Sequence, residues 1–260
     1  MKKIISKDRN FRISKLIPSI ITLAGICFGL SAIRYAIAGK FEIAVSFVLI
    51  ATFIDVLDGK FARALKAVSE FGSQLDSLAD FINFGFVPVF LLYLWSTHEV
   101  PRFGWASVLF FTMCCAIRLA RFNVDSDSGI KKDWEIRFFK GLPSPAGALA
   151  CLSPMMFYFA ANDKLLSLVK YADMVKNPYF LILFSISTAI LMASRVPTYS
   201  IKKLIIKREY ISLLLVLFAI FIVLGFIQHW LMVLFVGAIY FLLIPVSTLH
   251  YYSLKNSDNK

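Results

Sequence analysis

The stretch DVLDGKFARALKAVSEFGSQLDSLAD, residues 55–80, sets four aspartates, Asp55, Asp58, Asp76 and Asp80, inside or beside the hydrophobic runs of a 260-residue chain that is 59% apolar. An aspartate at a bilayer centre costs about 2.5–3.5 kcal/mol on insertion scales, so four of them require cations, water or protein partners. Asp55 and Asp58 are three residues apart and Asp76 and Asp80 four apart, so on helices each pair projects from one face. Between the pairs lie Gly59 and the basic stretch around Arg63 and Lys66, which predict a cytoplasmic turn that brings the two carboxylate faces together.

Outward from this hairpin the chain is membrane-like. Its mean hydropathy is +0.74 and its aromatic content 15%, and its apolar share exceeds the ~45–50% of soluble domains. A span needs about 20 apolar residues. Eight such stretches are read, at about 16–38, 41–62, 73–96, 103–122, 142–161, 178–194, 210–227 and 229–251. The expected fold is all-α, a polytopic membrane helix bundle. Residues 1–15 form a short basic interfacial helix, 16–208 a six-helix core around the aspartates, 209–252 two additional transmembrane helices and 253–260 a polar tail.

In this layout 22 of the 28 Lys and Arg residues fall on one side, which places both termini and the Asp55–Asp80 hairpin in the cytoplasm. The net charge of +12 is spread over short juxtamembrane loops, so anionic lipid headgroups rather than nucleic acid are the expected partner. No small-residue cleavage site closes the first apolar stretch, which predicts a retained span. Cys27, Cys114, Cys115 and Cys151 sit in apolar runs without metal or redox spacing and read as small buried residues. His98, His229 and His250 are isolated near span ends.

Unneutralised, four crowded carboxylates repel one another. Hard divalent cations relieve that repulsion, and a pair of Mg2+ or Mn2+ ions can share carboxylates. Two metals beside Arg63 suit a phosphate ester or pyrophosphate, with Gly59 and Gly72 letting phosphates approach the backbone. Intramembrane aspartates also mark ion pathways, so a divalent-cation transporter is the competing class. Against it, all four aspartates crowd one hairpin and no carboxylate continues the path outward.

The spacing D-x2-D-G-x2-A-R-x8-G-x3-D-x3-D resembles the signature of the CDP-alcohol phosphotransferase family. Asp55, Asp58, Gly59, Ala62, Arg63, Gly72, Asp76 and Asp80 fill every defined position. The resemblance implies transfer of a phosphatidyl group from CDP-diacylglycerol to an alcohol with release of CMP. On that pattern Asp55, Asp58, Asp76 and Asp80 hold the two metals. Gly59, Ala62, Arg63 and Gly72 line the CDP site, with Arg63 on the pyrophosphate, and Asp80 deprotonates the acceptor hydroxyl.

The flanking stretches FGSQLDSLADFINFGFVPVFLLY, IRLARFNV, FKGLPSPAGA and LMASRVPTYS resemble bacterial membrane-embedded members whose acceptor is L-serine. That resemblance implies a cytoplasmic-membrane enzyme of phospholipid biosynthesis, and a homodimer. Glycerol 3-phosphate is the alternative acceptor, with the difference expected within residues 118–145. Arg118, Arg121 and Lys140 are the candidate acceptor contacts, against a plainer role as basic residues at span ends. Pro143 and Pro145 fit a helix start after a flexible Gly141, and Arg195 fits an interfacial, snorkelling side chain. Where family members often carry Pro-Asn near the start of the first span, this chain has Pro18-Ser19, though Thr22 keeps a later polar position.

Overall fold

The computed structural model describes residues 16–65, 67, 69–127, 138–162, 169–199, 225 and 228–258. The expected interfacial helix over 1–15, Lys66 and, apart from Gly225, the expected span over 210–227 lie outside the described residues. The other seven expected spans are helical. They are α1 (Ile17–Ile37), α2 (Phe41–Ala64), α3 (Glu70–Asp80) continuing through a π-helical segment (Phe81–Phe86) into α4 (Val87–Trp95), α5 (Pro101–Asp127), α6 (Ser144–Asn162), α8 (Pro178–Ala193) and α9 (His229–Asp258). A short α7 (Val169–Val175) precedes α8, and α9 carries the helix through residues expected as a polar tail.

Five of these units are long and apolar enough to cross a membrane, namely α1, α3 to α4, α5, α6 and α9. Large apolar side chains face outward, Phe53 at 64% and Leu242 at 75% exposure among them, as lipid-facing positions require. The protein is a multi-pass membrane helix bundle.

Helices α1 and α2 form a tight hairpin. Gly39 adopts φ +74 after α1; its N–H donates to Ala36 O at 2.9 Å and the next N–H, of Lys40, donates to Tyr35 O at 2.9 Å. Left-handed glycine closes the helix at this point and reverses the chain. The buried face of α1 is Pro18, Thr22, Gly25, Gly29, Ala32 and Ala36. Small residues at this spacing let backbones approach closely where lipid offers no hydrophobic drive.

The third span is not a uniform helix. Ser69 caps its start by accepting from the Gly72 N–H at 3.0 Å. After Asp80 the helix widens into the π-helical turn that precedes Pro88. Pro88 withholds the N–H that would reach Phe84 O, and its ring crowds that carbonyl, so the turn before it opens. The Thr112 hydroxyl of α5 donates to Gly85 O at 3.2 Å within this turn.

Two short strands add to the helical expectation. Strand β1 (Phe138–Lys140) pairs antiparallel with β2 (Pro197–Tyr199), Phe139 opposite Thr198. Gly141 follows with φ +79, and a Cβ there would lie 2.7 Å from Ser194 O and 2.8 Å from Met192 O. Its place at the head of α6 is therefore a rigid close approach rather than a flexible entry. Helix α9 packs on β2, and Ser247 Oγ donates to Pro197 O at 2.7 Å. The core lies between α1, α2, α4, α5, α6 and α8, with Phe84, Phe111, Leu91, Leu152, Met155 and Leu181 fully buried.

Candidate active site

Helices α2 and α3 carry the two aspartate pairs on facing surfaces. Carboxylate oxygens of Asp55, Asp76 and Asp80 lie within 4.8 Å of one another. Asp80 Oδ1 is buried with no hydrogen-bond partner among the described residues. Three converging oxygen donors, one of them buried and unsatisfied, form an acidic cluster that can hold a hard divalent cation. Asp58 stands apart from this trio. It is 4% exposed, and its Oδ2 accepts from the Thr22 hydroxyl of α1 at 2.6 Å.

Beside the carboxylates opens a cleft between α1, α2 and α3. It is lined by Ser19, Thr22, Asp58, Gly59, Ala62, Arg63, Ser69, Gly72, Ser73 and Asp76, with Pro18 and Ala67. The residues expected to line a nucleotide site, Gly59, Ala62, Arg63 and Gly72, thus share one surface with two of the four aspartates. A Cβ at Gly59 would sit 3.7 Å from Arg63 Nη1, so the guanidinium lies back along its own helix over the glycine. At Gly72 the same added atom would lie 3.1 Å from Ser69 Oγ and 3.9 Å from Ser19 Oγ. Ser19, at the position where an asparagine is common, therefore faces this cleft.

The three basic residues expected near the acceptor part company. Arg118 is 9% exposed; its Nε donates to Leu142 O at 2.6 Å and its Nη1 donates to Ser144 Oγ. It also lies within electrostatic reach of Asp80. Arg121 Nη1 donates to Ala193 O at 2.9 Å and Ser194 O at 3.2 Å, closing the C-terminal end of α8 where carbonyls lack helical partners. Lys140 pairs with Asp125 at 3.0 Å on the surface, with 60% of its side chain exposed. Of the three, Arg118 is the one within electrostatic reach of Asp80 among the described residues.

Three features escape a reading of the sequence. The first is the partner of Thr22, a polar position noted in the sequence: its hydroxyl bonds Asp58 across 36 positions of chain, a pairing that only the α1 to α2 packing creates. Asn83, in the π-helical turn, is 3% exposed with Oδ1 unpartnered, and a Cβ at Gly29 would fall 2.0 Å from that oxygen. A polar residue one turn beyond Asp80 in an apolar span was the available signal. The third is Tyr240 of α9, whose buried hydroxyl lies within electrostatic reach of Arg118.

Known proteins are similar to this chain in sequence. A family model described as CDP-alcohol phosphatidyltransferase matches residues 15–241. A Mycobacterium leprae protein named CDP-diacylglycerol--serine O-phosphatidyltransferase is 33% identical over 207 residues, 80% of this chain and 66% of that protein. Proteins of the same name from Bacillus subtilis and Methanocaldococcus jannaschii are 33% identical over 143 residues and 36% over 141. Those matches cover 55% and 54% of this chain, and 76% and 61% of the relatives. The chain thus spans about two thirds of the mycobacterial relative's length. With a match across nearly its whole length and the signature residues gathered around one cleft, the chain belongs to the CDP-alcohol phosphatidyltransferase family.

Proposed function

We propose that the protein transfers the phosphatidyl group of CDP-diacylglycerol to the hydroxyl of L-serine, giving phosphatidylserine and CMP. The observation that carries this reading is the convergence of Gly59, Ala62, Arg63 and Gly72 with Asp58 and Asp76 on a single cleft, beside the Asp55, Asp76 and Asp80 cluster. The shared name of the relatives supplies the acceptor.

Asp55, Asp58, Asp76 and Asp80 would hold two divalent ions, Mg2+ or Mn2+, which fit an all-oxygen donor set. Such ions supply charge neutralisation on the transferring and departing phosphate oxygens. Arg63, whose guanidinium lies over Gly59, holds the pyrophosphate, and Gly59 and Gly72 keep the cleft floor free of side chains. The Thr22 hydroxyl fixes one oxygen of Asp58 and so aims the other toward the cleft. Asp80 takes the proton of the serine hydroxyl as that oxygen bonds to the phosphorus bearing diacylglycerol. The bond from this phosphorus to the CMP oxygen breaks, and CMP leaves through the open cleft.

The basic loops favour placement in a bacterial cytoplasmic membrane with the cleft and both termini toward the cytoplasm, where water-soluble serine and CMP exchange.

The test is incorporation of radiolabelled serine by the purified protein with CDP-diacylglycerol and Mg2+ or Mn2+, run in parallel with glycerol 3-phosphate. Lipid-soluble label and stoichiometric CMP are expected with serine. CMP release with glycerol 3-phosphate and none with serine would reassign the acceptor.

A further inference from the structure

Arg118 is anchored by Leu142 O and Ser144 Oγ through Nε and Nη1, and its remaining terminal nitrogen has no hydrogen-bond partner among the described residues. A buried guanidinium with free donor capacity, near Asp80, is arranged to receive an anion. The second group in reach of it comes from the last helix. Tyr240, Ile244 and Ser247 lie at i, i+4 and i+7, one face of α9. Ser247 donates to Pro197 O, and Ile244 is 9% exposed, so this face is the one turned onto β2 and the bundle. Tyr240 therefore points inward two turns before Ser247, toward Thr198 and Arg118. Its hydroxyl oxygen is shielded from solvent and lies beside Thr198 Oγ1 without a well-formed hydrogen bond among the described residues, while Thr198 Oγ1 donates its own proton to Gly141 O at 3.0 Å. Buried, unsatisfied phenol oxygens are uncommon and call for a partner.

We infer that Tyr240 and the free nitrogen of Arg118 together bind the carboxylate of the acceptor amino acid, placing its hydroxyl at Asp80. The inference rests on the serine reading above, and it makes Tyr240 a specificity-determining residue. Neither group lies in the Asp55–Asp80 signature. The C-terminal helix then completes the acceptor pocket rather than decorating a finished core. A phenol and a guanidinium nitrogen supply two donors to one carboxylate, and Asp80 with its unsatisfied oxygen stands at the reacting end.

The experiment compares wild type with Tyr240→Phe for L-serine and for serinol, in which a hydroxymethyl group replaces the carboxylate. Removing one hydrogen bond to a charged group corresponds to about tenfold or more in affinity. The expected result is a rise of about tenfold in the KM for serine, with kcat, the KM for CDP-diacylglycerol and the serinol rate within about twofold of wild type. The variant loses an oxygen whose neighbour, Thr198 Oγ1, keeps its bond to Gly141 O, and it keeps the ring, so packing is retained; Tyr240→Leu, read the same way, serves if the phenylalanine variant does not accumulate. Parallel losses for serine and serinol, or unchanged kinetics for both, would overturn the Tyr240 assignment alone. Wild type that fails to use serine while consuming glycerol 3-phosphate would overturn the serine reading and this inference with it.

Discussion

At the scale of single residues, the Thr22 to Asp58 hydrogen bond is the contact most open to test. Its 2.6 Å length joins two helices and holds a carboxylate that is 4% exposed. Thr22→Val keeps the shape and strands that carboxylate, so a stability loss of about 1–3 kcal/mol is expected. A raised metal requirement should accompany it, while Thr22→Ser restores both. Thermal unfolding in detergent and the metal dependence of turnover read the two effects. Asp80→Asn should leave the melting temperature close to wild type and abolish nearly all turnover; retained turnover would remove Asp80 as the base. The aspartates and Arg63 were legible in the sequence because charge in an apolar run is conspicuous and its spacing is fixed. Thr22 was legible as a kept polar position but not as the partner of Asp58, and Asn83 and Tyr240 were not legible, since a hydroxyl or amide in a span is common and only packing shows which one is buried beside a functional group.

At the scale of elements, Gly141 shows how a junction is set. Its φ of +79 and the two carbonyl oxygens within 2.8 Å of an added Cβ leave no space for a side chain. Gly141→Ala is expected to destabilise the protein by roughly 1–3 kcal/mol, through left-handed strain and crowding combined. The site should suffer too, because the next residues, Leu142 and Ser144, anchor Arg118. Ser69→Ala at the start of α3 should cost less, about 1 kcal/mol for a lost helix cap. Both follow from thermal melts of purified variants. Helix positions were readable from apolar runs and their flanking glycines and prolines. The π-helical turn was not, because Pro88 alone predicts a kink, and its form depends on Thr112 and Cys115 of α5 packing at Gly85. Neither was the β1 to β2 pairing, which joins short segments about sixty positions apart whose partners are set by the helices around them.

For the whole molecule, the basic loops and the carboxylate cluster make separate demands. Chelation should abolish turnover and lower the melting temperature, with Mg2+ or Mn2+ restoring both, since a ligand bound only by the folded state stabilises it by mass action. For orientation, Lys60→Cys places a thiol at an exposed position of α2, next in sequence to the cleft residue Gly59. A membrane-impermeant maleimide should label it in inside-out vesicles and not in intact cells. Cys114, Cys115 and Cys151 are buried, whereas Cys27, expected to be buried, is exposed, so the labelling is read on a Cys27→Ser background.

The bond between Ser247 and Pro197 also orders events in time. The carboxylates and the candidate nucleotide cleft lie between Pro18 and Asp80 and leave the ribosome before the helix that clamps β2, which begins at His229. A nascent chain thus owns the phosphate-handling half of the enzyme long before the half that chooses the alcohol. Water is the only acceptor always present at that stage, so a chain truncated before α9 should cleave CDP-diacylglycerol slowly to phosphatidic acid and CMP. Closure by the final helix would then be what turns a wasteful hydrolase into a transferase.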